Sequence, residues 1–118
     1  PAITPPNYVF PIVWTIIFYF IVLSLYYTAT SSKGKYEKQI GFLFGINFLL
    51  NILWTFFYFK LHNPTYAFVD IILLIISIIS LMIYTWKIDR RASVILIPYL
   101  LWVIFASVLN YLTILNMG

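Results

Sequence analysis

Long apolar runs separated by short polar stretches organise this sequence, at roughly 8–29, 40–59, 65–86 and 94–115. A helix rises 1.5 Å per residue, so about 20 residues cross a hydrocarbon core of about 30 Å. Each run has that length. None alternates apolar and polar residues at period two, and each exceeds the ~10 residues of a tilted barrel strand. The pattern predicts an all-α fold: a membrane bundle of four transmembrane helices forming a single domain over residues 1–118. The breaks agree with it. Residues 1–7 are proline-rich and extended, with Asn7 placed to cap the first helix and Pro11 in its first turn. The stretch Leu61-His62-Asn63-Pro64 is short enough to force an antiparallel hairpin, and Pro98 is expected to bend the fourth helix near its start.

Within the runs, polar and aromatic positions fall on single faces. Asn47, Asn51, Trp54 and Tyr58 recur at spacings of four, three and four on the second helix. Tyr66, Asp70, Leu73, Ser77 and Tyr84 share a face of the third. Tyr99, Trp102, Ala106, Asn110 and Thr113 align on the fourth, and Trp14, Phe18, Ile21 and Leu25 on the first. In lipid, a leucine gains nothing by exchanging lipid for another helix, so such stripes mark helix interfaces or a ligand pocket. Trp14, Asn51, Trp54, Asp70 and Asn110 lie at similar depth below one membrane surface, where they would line one aromatic pocket. Interhelical packing explains the same stripes, and Trp86, at the other surface, fits an interfacial anchor.

Composition adds the environment. Only 8% of the 118 residues are charged and 64% are hydrophobic, against about 25% charged in a soluble domain. No cysteine is present, which excludes disulfides and thiolate metal sites. The net charge of +4 reflects loop lysines and arginines rather than a nucleic-acid surface. Lys33, Lys35, Lys38, Lys87, Arg90 and Arg91 fall in the first and third loops, and only Lys60 lies at the opposite side. That bias predicts a plasma-membrane protein with the two basic loops in the cytoplasm and both termini outside.

Chemistry is sparse. Asp70 is the only carboxylate within a span, which makes it a functional candidate or a structural hydrogen-bond partner, with Asn51 as one candidate mate. His62 is alone. There is no nucleophile–base pair, metal cluster or phosphate loop, so no catalytic residue, metal or resident cofactor is expected. Gly41-Phe42-Leu43-Phe44-Gly45 is a GxxxG motif about 130° from the Asn51/Trp54 stripe at about 100° per residue. It predicts a homodimer interface through Gly41 and Gly45.

Three blocks carry a resemblance. They are Pro1-x-x-x-Pro5-Pro6-Asn7-x-Val9-Phe10-x-x-Val13-Trp14, then Asn51-x-x-Trp54 with Ala67-x-Val69-Asp70, then Pro98-Tyr99-Leu100-x-Trp102-x-x-Phe105-Ala106-x-x-Leu109-Asn110-Tyr111. In order and spacing they resemble the TspO/translocator-protein family of tryptophan-rich sensory proteins over essentially the whole chain. The resemblance implies a five-helix fold of which this chain supplies helices two to five. It also implies a pocket for tetrapyrroles such as porphyrins and haem precursors, and for related hydrophobic ligands. Trp14, Asn51, Trp54, Trp102, Ala106, Leu109 and Asn110 would line that pocket, with Tyr66 and Asp70 beside them.

Some positions depart from the family pattern. Ile3 and Tyr66 stand where tryptophan is usual, and Pro11 where glycine is usual. No Lys or Arg follows Tyr111 to complete the family's cholesterol motif, which puts cholesterol in doubt as a ligand. The functional expectation is a receptor or carrier with a transport or stress-sensing role. Two alternatives stay open: a small four-helix proton-coupled multidrug exporter, and, by the resemblance, a light-dependent porphyrin-degrading enzyme. Exporters of that type carry a carboxylate in the first helix, where this chain has none.

Overall fold

A computed structural model describes residues 8–117. The expected cap Asn7 and the proline-rich lead-in lie outside them. Helix α1 spans Val9–Ser32, α2 Glu37–Thr55, α3 Pro64–Trp86, α4 Arg90–Ile95 and α5 Ile97–Met117. No strand occurs among the described residues. Four stretches, Val9–Ser32, Glu37–Lys60, Pro64–Trp86 and Arg90–Asn116, are long and apolar enough to cross a membrane. The protein is a helical membrane bundle. Its long axis of 50 Å exceeds the ~30 Å hydrocarbon core, so both ends reach the headgroup layers.

The fourth span starts four residues earlier than the apolar run at 94, because Asp89 caps it and accepts from the Arg91 N–H at 2.9 Å. The helix is interrupted at Leu96, between α4 and α5. Pro98 explains the interruption. It supplies no N–H, and its ring crowds the carbonyl four residues back. The second span ends differently from an α-helix: Phe56–Lys60 forms a π-helical turn. His62 then adopts a left-handed backbone, and the Asn63 side chain accepts from the Tyr66 N–H at 3.1 Å, starting α3 with Pro64 in its first turn. At the opposite end Gly34 takes φ +83° in the α1–α2 loop, a conformation that disfavours any side chain.

Helix α3 is central, packing against α2, α4 and α5, with Ala67, Ile71, Leu74, Ile78 and Leu81 fully buried. The attachment of α1 is uneven along its length. At the basic end Ser24 Oγ donates to the Ala92 carbonyl at 2.8 Å and Ser31 Oγ to Asp89 at 2.6 Å. The Arg91 guanidinium lies 4.3 Å from the Tyr27 ring centroid and also pairs with Asp89 at 2.8 Å. Hydrogen bonds from Arg91, then from Ser31, hold the Asp89 carboxyl well below the ordinary carboxylate range. At the hairpin end, named for the Leu61–Pro64 turn, a single side-chain hydrogen bond among the described residues ties α1 to the bundle, from Trp14 to Asn51.

Candidate functional site

The stripes converge near the hairpin end. Trp14 and Trp54 stack, with centroids 5.5 Å apart and planes at 19°. Trp102 meets Trp14 edge-on at 5.9 Å, and Tyr58 continues the stack from Trp54 at 4.9 Å. Phe10 and Phe59 close the edge of this aromatic group, at 5.4 Å from each other. Three spans, the first, second and fourth, thus contribute rings to one cluster.

Amides hold the indoles in place. Trp14 Nε1 donates to Asn51 Oδ1 at 2.7 Å, and Trp54 Nε1 donates to Asn110 Oδ1 at 2.9 Å. Asn110 Nδ2 donates in turn to the Pro64 carbonyl at 2.7 Å, in the first turn of α3. Asn51 Nδ2 donates to the Tyr99 hydroxyl at 2.9 Å, the hydroxyl donates to Asn47 Oδ1 at 3.0 Å, and Asn47 Nδ2 reaches Ser77 at 3.2 Å. A continuous polar chain therefore runs from α1 through α2 and α5 to α3. Each amide in it serves both as donor and acceptor, which is how buried polar groups avoid the cost of desolvation.

These residues come together as a packed core rather than as open walls. Asn51, Ala106 and Asn110 are fully buried, Trp54 is 1% exposed, and Leu109 is also buried. The open space lies beside them. A cavity of about 400 Å³ is lined by Phe10, Pro11, Trp14, Thr55 and Phe59, so Trp14 is the member of the expected set that borders it. A second groove of about 470 Å³ between α1 and α5 is bordered by Trp102, with Phe105 and Pro98. The Trp102 indole N–H is buried without a partner.

Two expected site residues sit apart. Tyr66 is 60% exposed and packs against Phe57, on the outer side of the hairpin. Asp70 is buried, yet it makes no bond to Asn51, whose amide is occupied by Trp14 and Tyr99, and its Oδ2 has no partner. Phe59 and Thr55 were not expected in the site. Helical arithmetic places Phe59 about 140° from Trp54, but the π-helical turn has more residues per turn and brings it back to within 5.8 Å of that ring. Phe10 was visible only as part of the first sequence block. No cluster of metal ligands occurs among the described residues.

Comparison with known proteins places the chain in a family. The profile of the TspO/MBR family matches residues 1–115. The tryptophan-rich protein TspO of Chlorobaculum tepidum is 39% identical over 119 residues, covering 100% of this chain and 75% of that protein. The tryptophan-rich protein TspO of Archaeoglobus fulgidus is 37% identical, over 94% of this chain and 71% of that protein. A membrane protein of Bacillus subtilis, YtaB, is 38% identical, over 94% and 72%. With this match over nearly its whole length, the chain belongs to the TspO/MBR family.

Proposed function

We propose that this protein is a membrane receptor or carrier for flat, conjugated, hydrophobic ligands of the tetrapyrrole class, with a transport or sensing role. One observation carries the reading: a stacked indole pair, crossed edge-on by a third indole, stands beside an apolar cavity open between α1 and α2. A macrocycle is a large π-surface, and Trp14, Phe10 and Phe59 offer ring faces and edges to it. The 400 Å³ cavity is at the small end of ligand sites, about 300–1,000 Å³. The ligand therefore inserts one edge against Trp14 while the remainder faces lipid. Family membership favours this reading over the exporter.

Titration of the purified protein with protoporphyrin IX should quench tryptophan fluorescence. Trp14→Phe should weaken affinity roughly five- to tenfold, the scale of a specific aromatic contact at about 1 kcal/mol. Trp86→Phe, at the basic end, should leave it unchanged. Equal effects of the two substitutions would mean that the porphyrin partitions into detergent, and the proposal would fail.

Two further parts of the reading concern assembly. The Gly41/Gly45 face is exposed, and a Cβ added at either glycine meets nothing within 4 Å, so it has room for a second copy of the chain. Gly41→Leu with Gly45→Leu should shift the detergent-solubilised protein from dimer to monomer; an unchanged dimer fraction would place the interface elsewhere. The basic loops are assigned to the cytoplasm by charge bias. Ser32 is buried, so a cysteine at Lys35, which is exposed, is the better probe. It should resist an impermeant maleimide in intact cells, and ready labelling would invert the topology.

A further inference from the structure

The basic end carries a feature that the aromatic site does not use. A groove of about 400 Å³ runs along α3 and α5, lined by Ile79, Met82, Ile83, Trp86, Lys87 and Leu100. From Trp86 to Ile79 it follows two turns of helix, a depth of roughly 10 Å at 1.5 Å per residue. Its floor is apolar, and its mouth is cationic. Lys87 is exposed at the rim, and the Arg90 guanidinium sits 5.0 Å from the centroid of the Trp86 ring, which forms one wall.

Charge decides what fits there. The basic end holds Lys33, Lys35, Lys38, Lys87, Arg90 and Arg91 against Glu37 and Asp89. The one salt bridge among the described residues joins Asp89 to Arg91. Lys87 and Arg90 are thus without an acidic partner among those residues, at the depth where the groove leaves the hydrocarbon. Trp86 beside them is of the residue type that settles at the headgroup layer. A second copy of the chain would bring a like-charged rim to this one, which disfavours it as the occupant.

We propose that this groove is a binding site for an anionic phospholipid, with one acyl chain along Ile79, Ile83 and Leu100 and the phosphate taken by Lys87 and Arg90. The pairing is the usual one for juxtamembrane cations and acidic lipid, and each cation near the surface strengthens it about fivefold. The site lies at the opposite end of the bundle from the aromatic cluster and does not depend on the tetrapyrrole reading.

Native mass spectrometry of the full chain in detergent, titrated with dioctanoyl phosphatidylglycerol or dioctanoyl phosphatidylcholine, tests it. Phosphatidylglycerol should be retained in preference, as one tightly held molecule per chain. Lys87→Gln and Arg90→Gln should each reduce its retention about fivefold. Lys35→Gln with Lys38→Gln removes twice the charge of either variant, from the other loop, and should leave it unchanged. Ile79→Trp, at a lipid-facing position 43% exposed, should fill the groove and expel the lipid without altering charge. Equal retention of the two lipids would overturn the proposal, as would equal losses from the two loops. Retention that survives Ile79→Trp would also overturn it, by removing the acyl-chain contact.

Discussion

Trp54→Ala is expected to destabilise the folded bundle by about 3–5 kcal/mol, the range found when a large buried aromatic is truncated. Trp54 is 1% exposed and lies at the centre of the aromatic cluster, between Trp14 and Tyr58. Truncation removes both stacking contacts at once. It also strips Asn110 Oδ1 of its donor, although Asn110 Nδ2 still holds the Pro64 carbonyl. A lipid chain is too flexible to refill a slot shaped for an indole, so the lost van der Waals contacts are not recovered. Trp54→Phe keeps a ring in the slot and loses the hydrogen bond, which in membrane bundles contributes about 0.6–1.7 kcal/mol. Reversible unfolding in mixed micelles with increasing SDS would measure both. A loss below about 1 kcal/mol for the alanine variant would show that Trp54 is not a keystone of the packing.

Asn51→Leu is the second large effect, at about 2–3 kcal/mol. Leucine nearly preserves volume, so the effect isolates the amide. Two hydrogen bonds disappear, from Trp14 Nε1 and to the Tyr99 hydroxyl, at about 0.6–1.7 kcal/mol each. The Trp14 N–H is then left beside an apolar side chain. The double variant Asn51→Leu/Trp14→Phe should be less destabilised than the sum of the single variants, because one bond is counted in both. Strict additivity in the same SDS titration would mean that the two groups do not interact in the membrane.

The spans were readable from the sequence because hydrocarbon thickness sets a length that only apolar runs satisfy. Convergence of Trp14, Asn51, Trp54, Trp102 and Asn110 was readable too, since each lies on a 3.6-residue stripe at similar depth. What the stripes do not encode is pairing between spans. That Trp54 takes Asn110, 56 residues away, while Asn51 takes Trp14 and Tyr99, depends on helix rotations fixed only when all four spans pack. Hence the same residues read equally well as cavity walls or as a self-satisfied core. Tyr66 shows a second limit. It lies 40° from Asp70 in helical projection, yet it is exposed while Asp70 is buried, because the buried face of α3, through Ala67, Ile71, Leu74 and Ile78, lies on the side of Asp70 away from Tyr66. The π-helical turn was hidden for a third reason. Nothing in Phe56-Phe57-Tyr58-Phe59 distinguishes it from ordinary aromatic helix, and its effect is felt at Phe59.

The uneven attachment of α1 makes that helix a lever. Its polar fastenings at Ser24, Tyr27 and Ser31 act as a fulcrum at the basic end, and Trp14 rides on the other arm, held there by ring contacts and one hydrogen bond. Between Ser24 and Ser31 on one side and Trp14 on the other lie 10 to 17 residues, an arm of roughly 15–25 Å at 1.5 Å per residue. Over an arm of about 20 Å, a tilt of about 5° carries the indole some 1.7 Å sideways, enough to part it from Asn51. Spanning helices adjust tilt to match bilayer thickness at a cost of fractions of a kcal/mol per Å. A bilayer that tilted α1 would therefore act first on the Trp14–Asn51 contact, at the end of the arm.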